Sequence, residues 1–314
     1  METKPILEIS DLGVGFRDRN GKTLQVIRDL SLTVRSGEIL AVAGSSGSGK
    51  SLLASAILGI LPENAVVSGS MTFAGEPLTP ERQQALRGRE LALVPQSVAY
   101  LDPLMKVGRQ VDGLKRPRPT EKRRRLFEAL QLPKQTEKLY PFALSGGMAR
   151  RVLVSTALLG EPRLVIADEP TPGMSLEQAR SALRMFRDMA DRGCGVILIT
   201  HDIDLAFDFA DRIAVFYAGT TVETQPAACF RAGPGALCHP YSQALWRALP
   251  QNGFTPIPGT QPYAGQLPEG CLFAPRCPWA DARCRREVPP VTPTEEGEVR
   301  CFHGTESQQC IVPV

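Results

Sequence analysis

No stretch of this chain approaches the roughly 18 consecutive apolar residues that a membrane-spanning helix needs. The longest candidate, residues 52–61, is about half a span. The start, Met1-Glu2-Thr3-Lys4-Pro5, lacks the apolar region of a secretory signal. Both absences predict a protein made and kept in the cytosol, reaching a membrane only through a partner. Charge of one sign is also scarce: the formal net charge is +3, too little to argue for nucleic acid. The basic run Lys122-Arg123-Arg124-Arg125 is short. Leu126, Ala129 and Leu130 beside it predict an amphipathic helix with a solvated basic face. There is no internal repeat, which excludes a tandem array. The C-x₂-C spacing of zinc ribbons is missing as well.

What is present is an ordinary globular balance. The 314 residues are 43% hydrophobic and 22% charged, enough for one large domain and an appendage. One stretch carries most of the information: Gly44-Ser45-Ser46-Gly47-Ser48-Gly49-Lys50-Ser51. It fits G-x-x-x-x-G-K-[ST], a phosphate-binding loop. The apolar run Ile39-Leu40-Ala41-Val42-Ala43 before it reads as a buried strand, and Leu52-Leu53-Ala54-Ser55-Ala56 after it as the start of a helix. Glycines let the backbone bend around a polyphosphate and turn its N–H groups inward, and the helix N-terminus adds a favourable dipole. Lys50 is then placed to reach the β- and γ-phosphates of a nucleotide, and the Ser51 hydroxyl to hold Mg²⁺.

Along the chain, residues 6–16 and 30–34 read as strands of a small antiparallel sheet, with Asn20-Gly21 as a turn signal, and residues 70–73 as a further strand. Residues 97–141 are charged and poor in β-branched residues, which predicts a helical insertion. The α/β pattern then resumes, with Leu164-Val165-Ile166-Ala167 and Val196-Ile197-Leu198-Ile199-Thr200 as short buried strands of a parallel sheet. Five prolines and three glycines between Pro250 and Pro268 mark a linker or an extended wrapping loop. The tail beyond it is rich in cysteine.

Four further elements have a chemical reading. Asp168-Glu169 ends an apolar run, where the first acid can coordinate Mg²⁺ and the second can polarise a water. Ser145-Gly146-Gly147 opens a predicted helix and offers bare N–H groups and a hydroxyl to an anion. His201, after the strand ending at Thr200, is placed to bond a terminal phosphate. Gln96 follows Leu93-Val94-Pro95 and can bring an amide to Mg²⁺ and water. Each alone has a plain structural reading: a strand-end acid pair, a helix cap, a strand-end histidine and a turn glutamine.

Their order and spacing together closely resemble the ATP-binding subunits of ABC transporters, over roughly residues 6–250. The resemblance implies an α/β P-loop NTPase fold: a RecA-like core with an antiparallel β-subdomain and a helical subdomain at about residues 97–160. It makes Gly44 to Ser51 the Walker A motif, Gln96 the Q-loop, Leu144 to Met148 the signature, Asp168 the Walker B aspartate, Glu169 the general base and His201 the switch histidine. Phe16 falls where the family stacks an aromatic ring on adenine; a strand-core phenylalanine is an equal alternative. Met148 in place of the commoner signature glutamine, Tyr140-Pro141-Phe142, Leu101-Asp102-Pro103 and the tail Gly270-Cys271-Leu272-Phe273-Ala274-Pro275-Arg276-Cys277-Pro278 resemble the oligopeptide, dipeptide and nickel importer subfamily. The expected division is 1–250 for the ATP-binding domain and 251–314 for a cysteine-rich C-terminal extension.

Cys271, Cys277, Cys284 and Cys301 are candidate metal ligands in a loop-rich cytosolic segment. The resemblance implies a [4Fe-4S] cluster; zinc and free thiols stay open. His303 and Cys310 stand outside the pattern and are read as non-ligands. The resemblance further implies ATP and Mg²⁺ at the nucleotide site, a paralogous ABC ATPase partner, two transmembrane permeases, an extracytoplasmic substrate-binding protein, and a place on the cytoplasmic face of the inner membrane. Ser175 stands where the family usually has the D-loop aspartate, which predicts unequal ATP sites. The alternative is a soluble ABC ATPase acting in translation or DNA repair, against which the importer-like tail speaks. Cargo is open among dipeptides, oligopeptides, nickel and metal chelates.

Overall fold

The computed structural model describes residues 4–113 and 118–304; Met1 to Thr3 at the start and Cys310 in the tail lie outside them. Strands β1 (Pro5–Arg17) and β2 (Thr23–Arg35) form an antiparallel hairpin, closed by an Asp18 carboxylate that accepts from the N–H of Asn20 and of Lys22. The second strand was expected from residue 30 but begins seven residues earlier. Asp11 and Asp29 take positive φ (51° and 42°) and shift the register, which breaks the period-two alternation that marks a strand. Strand β3 (Ile39–Gly44) runs into the glycine-rich loop, helix α1 (Lys50–Leu58) leaves it, and β4 (Ala65–Phe73) with β5 (Glu76–Pro77) completes a four-stranded sheet in the order β2-β1-β4-β5.

The chain continues through α2 (Pro80–Leu86), β6 (Leu91–Val94), α3 (Val107–Asp112), α4 (Thr120–Ala129), α5 (Gly146–Leu158), β7 (Leu164–Asp168), α6 (Leu176–Asp191), β8 (Gly195–Ile199), α7 (Ile203–Phe209), β9 (Arg212–Tyr217), β10 (Thr220–Pro226), α8 (Ala227–Ala232), α9 (Pro240–Arg247), α10 (Ala282–Arg286), β11 (Thr292–Pro293) and β12 (Glu298–Val299). The large sheet has the order β11-β12-β10-β9-β3-β8-β7-β6, and its five strands from β9 to β6 are parallel. Every residue of β3, β7 and β8 is buried, as unbroken apolar runs require when both sheet faces are covered. Successive side chains serve opposite layers. Ile39, Ala41 and Ala43 join the core under α5, α6 and α7; Leu40 and Val42 join the core shared with α1 and the antiparallel sheet.

The helical insertion expected at residues 97–141 is there, though not as one continuous element: among the described residues it consists of α3, α4 and several 3₁₀ turns, with α3 and α4 packed on α5. The basic run is not uniformly solvated either. Lys122, Arg124 and Arg125 make surface pairs, but Arg123 is buried and bonds Asp112 and Glu137, 2.9 Å to the latter. Burial of a charge demands such partners. Strands β9 and β10 had not been anticipated, although Ile213-Ala214-Val215-Phe216-Tyr217 is a β-rich apolar run. The tail joins the large sheet, β12 pairing with β10 through Glu223↔Val299 and Thr224↔Glu298. Among the described residues no helix is long and apolar enough to cross a membrane.

Candidate functional site

The carboxyl ends of the parallel strands lie along one edge of the sheet, where open α/β folds hold their ligands. Gly44 ends β3, Asp168 ends β7, His201 follows β8, and Gln96 follows β6. The loop after β3 is shaped by its contacts. A Cβ on Gly44 would stand 2.3 Å from the Phe216 carbonyl oxygen, so the close passage over β9 requires glycine. The Ser48 carbonyl accepts the Gly219 N–H at 3.0 Å, which ties the loop to the β9–β10 turn.

Lys50 is buried and folded back on the loop. Its Nζ donates to the carbonyls of Gly44 (2.9 Å) and Ser45 (2.8 Å), and burial lowers its pKa against the opposing pull of Glu169 and Asp168. Asp168 is 5% exposed, and burial raises its pKa although the Ser51 hydroxyl donates to it. Its Oδ1 is buried without a hydrogen-bond partner. An orphaned carboxylate oxygen beside a serine hydroxyl is a donor set suited to a hard divalent cation such as the Mg²⁺ of a nucleotide.

Glu169 adopts a left-handed φ of 49°, with its N–H bonded to the Ile199 carbonyl at 2.9 Å. Its Oε2 lies 2.5 Å from His201 Nδ1, so the two residues meet across neighbouring strands, while the His201 ring stays 65% exposed. Gln96 is exposed beyond β6, and the carbonyl of its neighbour Pro95 accepts from Arg150 Nη1 at 3.0 Å. Arg150, whose pKa is lowered by burial and raised by Glu169 and Asp168, therefore links α5 to the Gln96 turn and the acidic pair. No feature of the sequence had singled it out.

Ser145 caps α5, its Oγ accepting from the Met148 N–H at 3.3 Å. Ser145 and Gly146 face solvent, and a Cβ on Gly147 would come within 2.7 Å of the Gly173 carbonyl oxygen. The Ser-Gly-Gly turn thus packs on the loop after Thr171 with its helix N-terminus open. No described hydrogen bond joins it to the loop at 44–51. Ser175 caps α6 in a capping box with Gln178. Phe16 is half-buried at the end of β1, paired with Leu24 and Ala65 and packed on the neighbouring core.

The four tail cysteines line one small cavity with Phe273, Phe302 and His303. Burial first, and then the nearby Cys271, Cys277 and Cys284, together push the Cys301 thiol up to about 12. Burial also raises Cys271 and Cys284. Among the described residues, the ligand atoms that come within 4.8 Å of one another are those of Asp281, Cys284 and His303, while Cys271, Cys277 and Cys301 line the same cavity outside that group. His303, placed outside the set by its spacing, is at the cavity wall. Its Nε2 is 3.6 Å from Cys284 Sγ and 3.3 Å from Asp281 Oδ2. Nothing in the linear spacing marks that approach.

Residues 27–172 match the ABC transporter family, and residues 222–284 match the oligopeptide/dipeptide transporter C-terminal region. A putative peptide import ATP-binding protein of Brucella melitensis is 33% identical over 99% of both chains. The oligopeptide transport ATP-binding protein of Salmonella typhimurium is 35% identical, covering 96% of this chain and 94% of its own. A probable D,D-dipeptide transport ATP-binding protein of Escherichia coli is 34% identical over 98% and 99%. Among solved structures, the dimeric ATP-binding cassette MJ0796 in a post-hydrolysis state with ADP and Pi aligns with a TM-score of 0.63. It is 20% identical and covers 70% of this chain and 98% of its own. The chain belongs to the ABC transporter ATP-binding proteins that carry the oligopeptide/dipeptide transporter C-terminal region, and it is an ABC-type ATPase.

Proposed function

We propose that this ATPase energises import of peptides through an ABC transporter. The carrying observation is one chain that joins the Lys50–Asp168–Glu169–His201 arrangement to a peptide-transporter C-terminal region. That region is also what favours transport over a soluble role in translation or DNA repair.

Gly44 to Ser51 receives the phosphates of ATP on its N–H groups. Lys50 exchanges the Gly44 and Ser45 carbonyls for the β- and γ-phosphates. Ser51 and Asp168 would hold Mg²⁺, with Gln96 as a further candidate ligand, and the ion would neutralise charge on the phosphates. Glu169 orients and deprotonates the attacking water, and His201 bonds the terminal phosphate while fixing Glu169. The catalytic gain comes from position and charge around the γ-phosphate. Phe16 supports the adenine from the end of β1.

The open turn Ser145-Gly146-Gly147 caps the nucleotide of a second, paralogous ATPase, and the partner's turn caps this one. The helical insertion at about residues 97–160 carries exposed Tyr100, Leu104 and Phe142, the last stacked on Tyr140. This apolar surface is the part that meets one of two membrane permeases, the subunit lying peripherally on the cytoplasmic face of the inner membrane. Cargo arrives on an extracytoplasmic binding protein. Residues 1–250 form the ATP-binding domain and 251–314 the extension, whose four thiols would hold a [4Fe-4S] cluster and so staple a segment too small to hold a core alone.

Deleting the gene and measuring uptake of a labelled dipeptide and of labelled nickel tests the assignment. Selective loss of dipeptide uptake is expected; selective loss of nickel uptake would move the chain to metal import. Protein purified without oxygen should be brown and contain iron and sulfide; near-zero iron and sulfide would remove the cluster.

A further inference from the structure

Ser45, the second residue of the phosphate-binding loop, is gripped from behind by residues some two hundred positions away. Its backbone N–H donates to the Tyr241 hydroxyl oxygen at 3.2 Å, and its hydroxyl donates to Gln261 Oε1 at 2.5 Å. Neither partner belongs to any motif of the nucleotide site.

The chain builds this grip in steps. Glu223, buried in β10, accepts the N–H of Cys238 (2.7 Å) and of His239 (2.9 Å). His239 then caps α9, its Nδ1 accepting the Tyr241 N–H at 3.0 Å, with Pro240 in the first turn. The Tyr241 ring is 1% exposed, with ring centroids 4.6 Å from Tyr217 and 5.4 Å from Phe273. Arg276 lies over Tyr217 and Phe273 and donates to the carbonyls of Ile257 (3.2 Å) and Pro258 (2.7 Å), which fixes the segment that carries Gln261.

The arrangement has a use. Lys50 now holds the Ser45 carbonyl at 2.8 Å. Once Lys50 leaves it for phosphate, the Ser45 carbonyl keeps the Ser48 N–H from inside the loop (3.3 Å), and among the described hydrogen bonds Tyr241 and Gln261 hold Ser45 from outside it. We propose that Tyr241 and Gln261 are positioning residues of the nucleotide site, and that they keep the loop in its phosphate-receiving shape. This rests on the reading of residues 44–51 as the ATP site, and it makes the C-terminal segment part of nucleotide binding.

The test uses the full-length chain, titrated with a fluorescent ATP analogue and assayed for ATPase activity. Tyr241→Phe removes only the hydroxyl, and Gln261→Ala lies in a half-buried loop, so one readable variant remains if the other misfolds. Each should weaken ATP binding about 2- to 10-fold, the worth of one hydrogen bond. KM should rise with kcat unchanged, and thermal stability should stay near wild type. The Ser45→Ala/Gln261→Ala double variant should bind no more weakly than the worse single, because both break the same contact. Wild-type affinity in both single variants, or weakening that only follows a fall in Tm, overturns the proposal. Lys50→Ala separates the two readings. If it binds ATP normally, the ATP-site assignment fails; if it loses binding while Tyr241→Phe and Gln261→Ala do not, only the positioning role fails.

Discussion

His201 Nδ1 stands 2.5 Å from Glu169 Oε2, and the two arrive from the ends of adjacent strands β7 and β8. The histidine fixes one oxygen of the carboxylate. Glu169→Gln keeps the size but cannot take a proton, so ATP turnover should fall roughly 10²- to 10⁴-fold while ATP binding persists. A variant with near wild-type phosphate release would remove Glu169 from the base role.

Ser175 occupies the position of an expected aspartate, yet its hydroxyl has a structural task as the cap of α6. Ser175→Ala should cost about 1 kcal/mol, read as a lower denaturation midpoint. Aspartate caps equally well, so Ser175→Asp should leave stability nearly unchanged. Any change it makes in ATPase rate or cooperativity in the proposed heterodimer then reports on coupling between sites. Unchanged kinetics would count against unequal sites.

Arg123 is the shared partner of Asp112 and Glu137. Arg123→Met should destabilise the chain by about 3–5 kcal/mol, because Asp112 would be left buried and uncompensated. The same bond sets an acid limit. Arg123 holds the Glu137 carboxyl below its ordinary value of 4.5, so this stabilisation is present above pH 4.5 and lost as pH falls further. In Arg123→Met that part of the acid transition should flatten in chemical denaturation.

His239 is fully buried, and burial alone pushes its pKa down to about 3 from 6.5. The unfolded chain therefore binds the extra proton between those values. Stability should fall by about 1.4 kcal/mol per pH unit as pH drops below 6.5, on account of this one group. His239→Asn can still cap α9 and should remove that slope. An unaltered pH dependence would assign the acid sensitivity elsewhere.

The phosphate loop was legible because its chemistry is local: strand, glycines, lysine and helix follow one another within twenty residues. The same holds for Asp168 and Glu169 at the end of an apolar run. Long-range partners were not legible. Tyr241 and Gln261 stand 196 and 216 positions from Ser45, and no pattern in a linear sequence ties a histidine–proline–tyrosine step to a glycine-rich turn. Arg123 looked like its three basic neighbours, since only the fold brings Asp112 and Glu137 to it. The early half of β2 was hidden by Asp29, whose positive φ breaks that strand's alternation, as Asp11 does in β1. The four tail cysteines were visible as a group, whereas the approach of His303 to Cys284 depends on how α10 and the residues after β12 fold back together.

The pairing of β12 with β10 governs where this protein can be shortened. A chain ended near residue 250 would lose the strand along β10 and the Phe273 ring from the Tyr217–Tyr241 cluster. The edge of β10, with its row of backbone N–H and C=O groups, would then lie open to pairing with other chains. Such a fragment would fail first by self-association, before any question of nucleotide turnover arises.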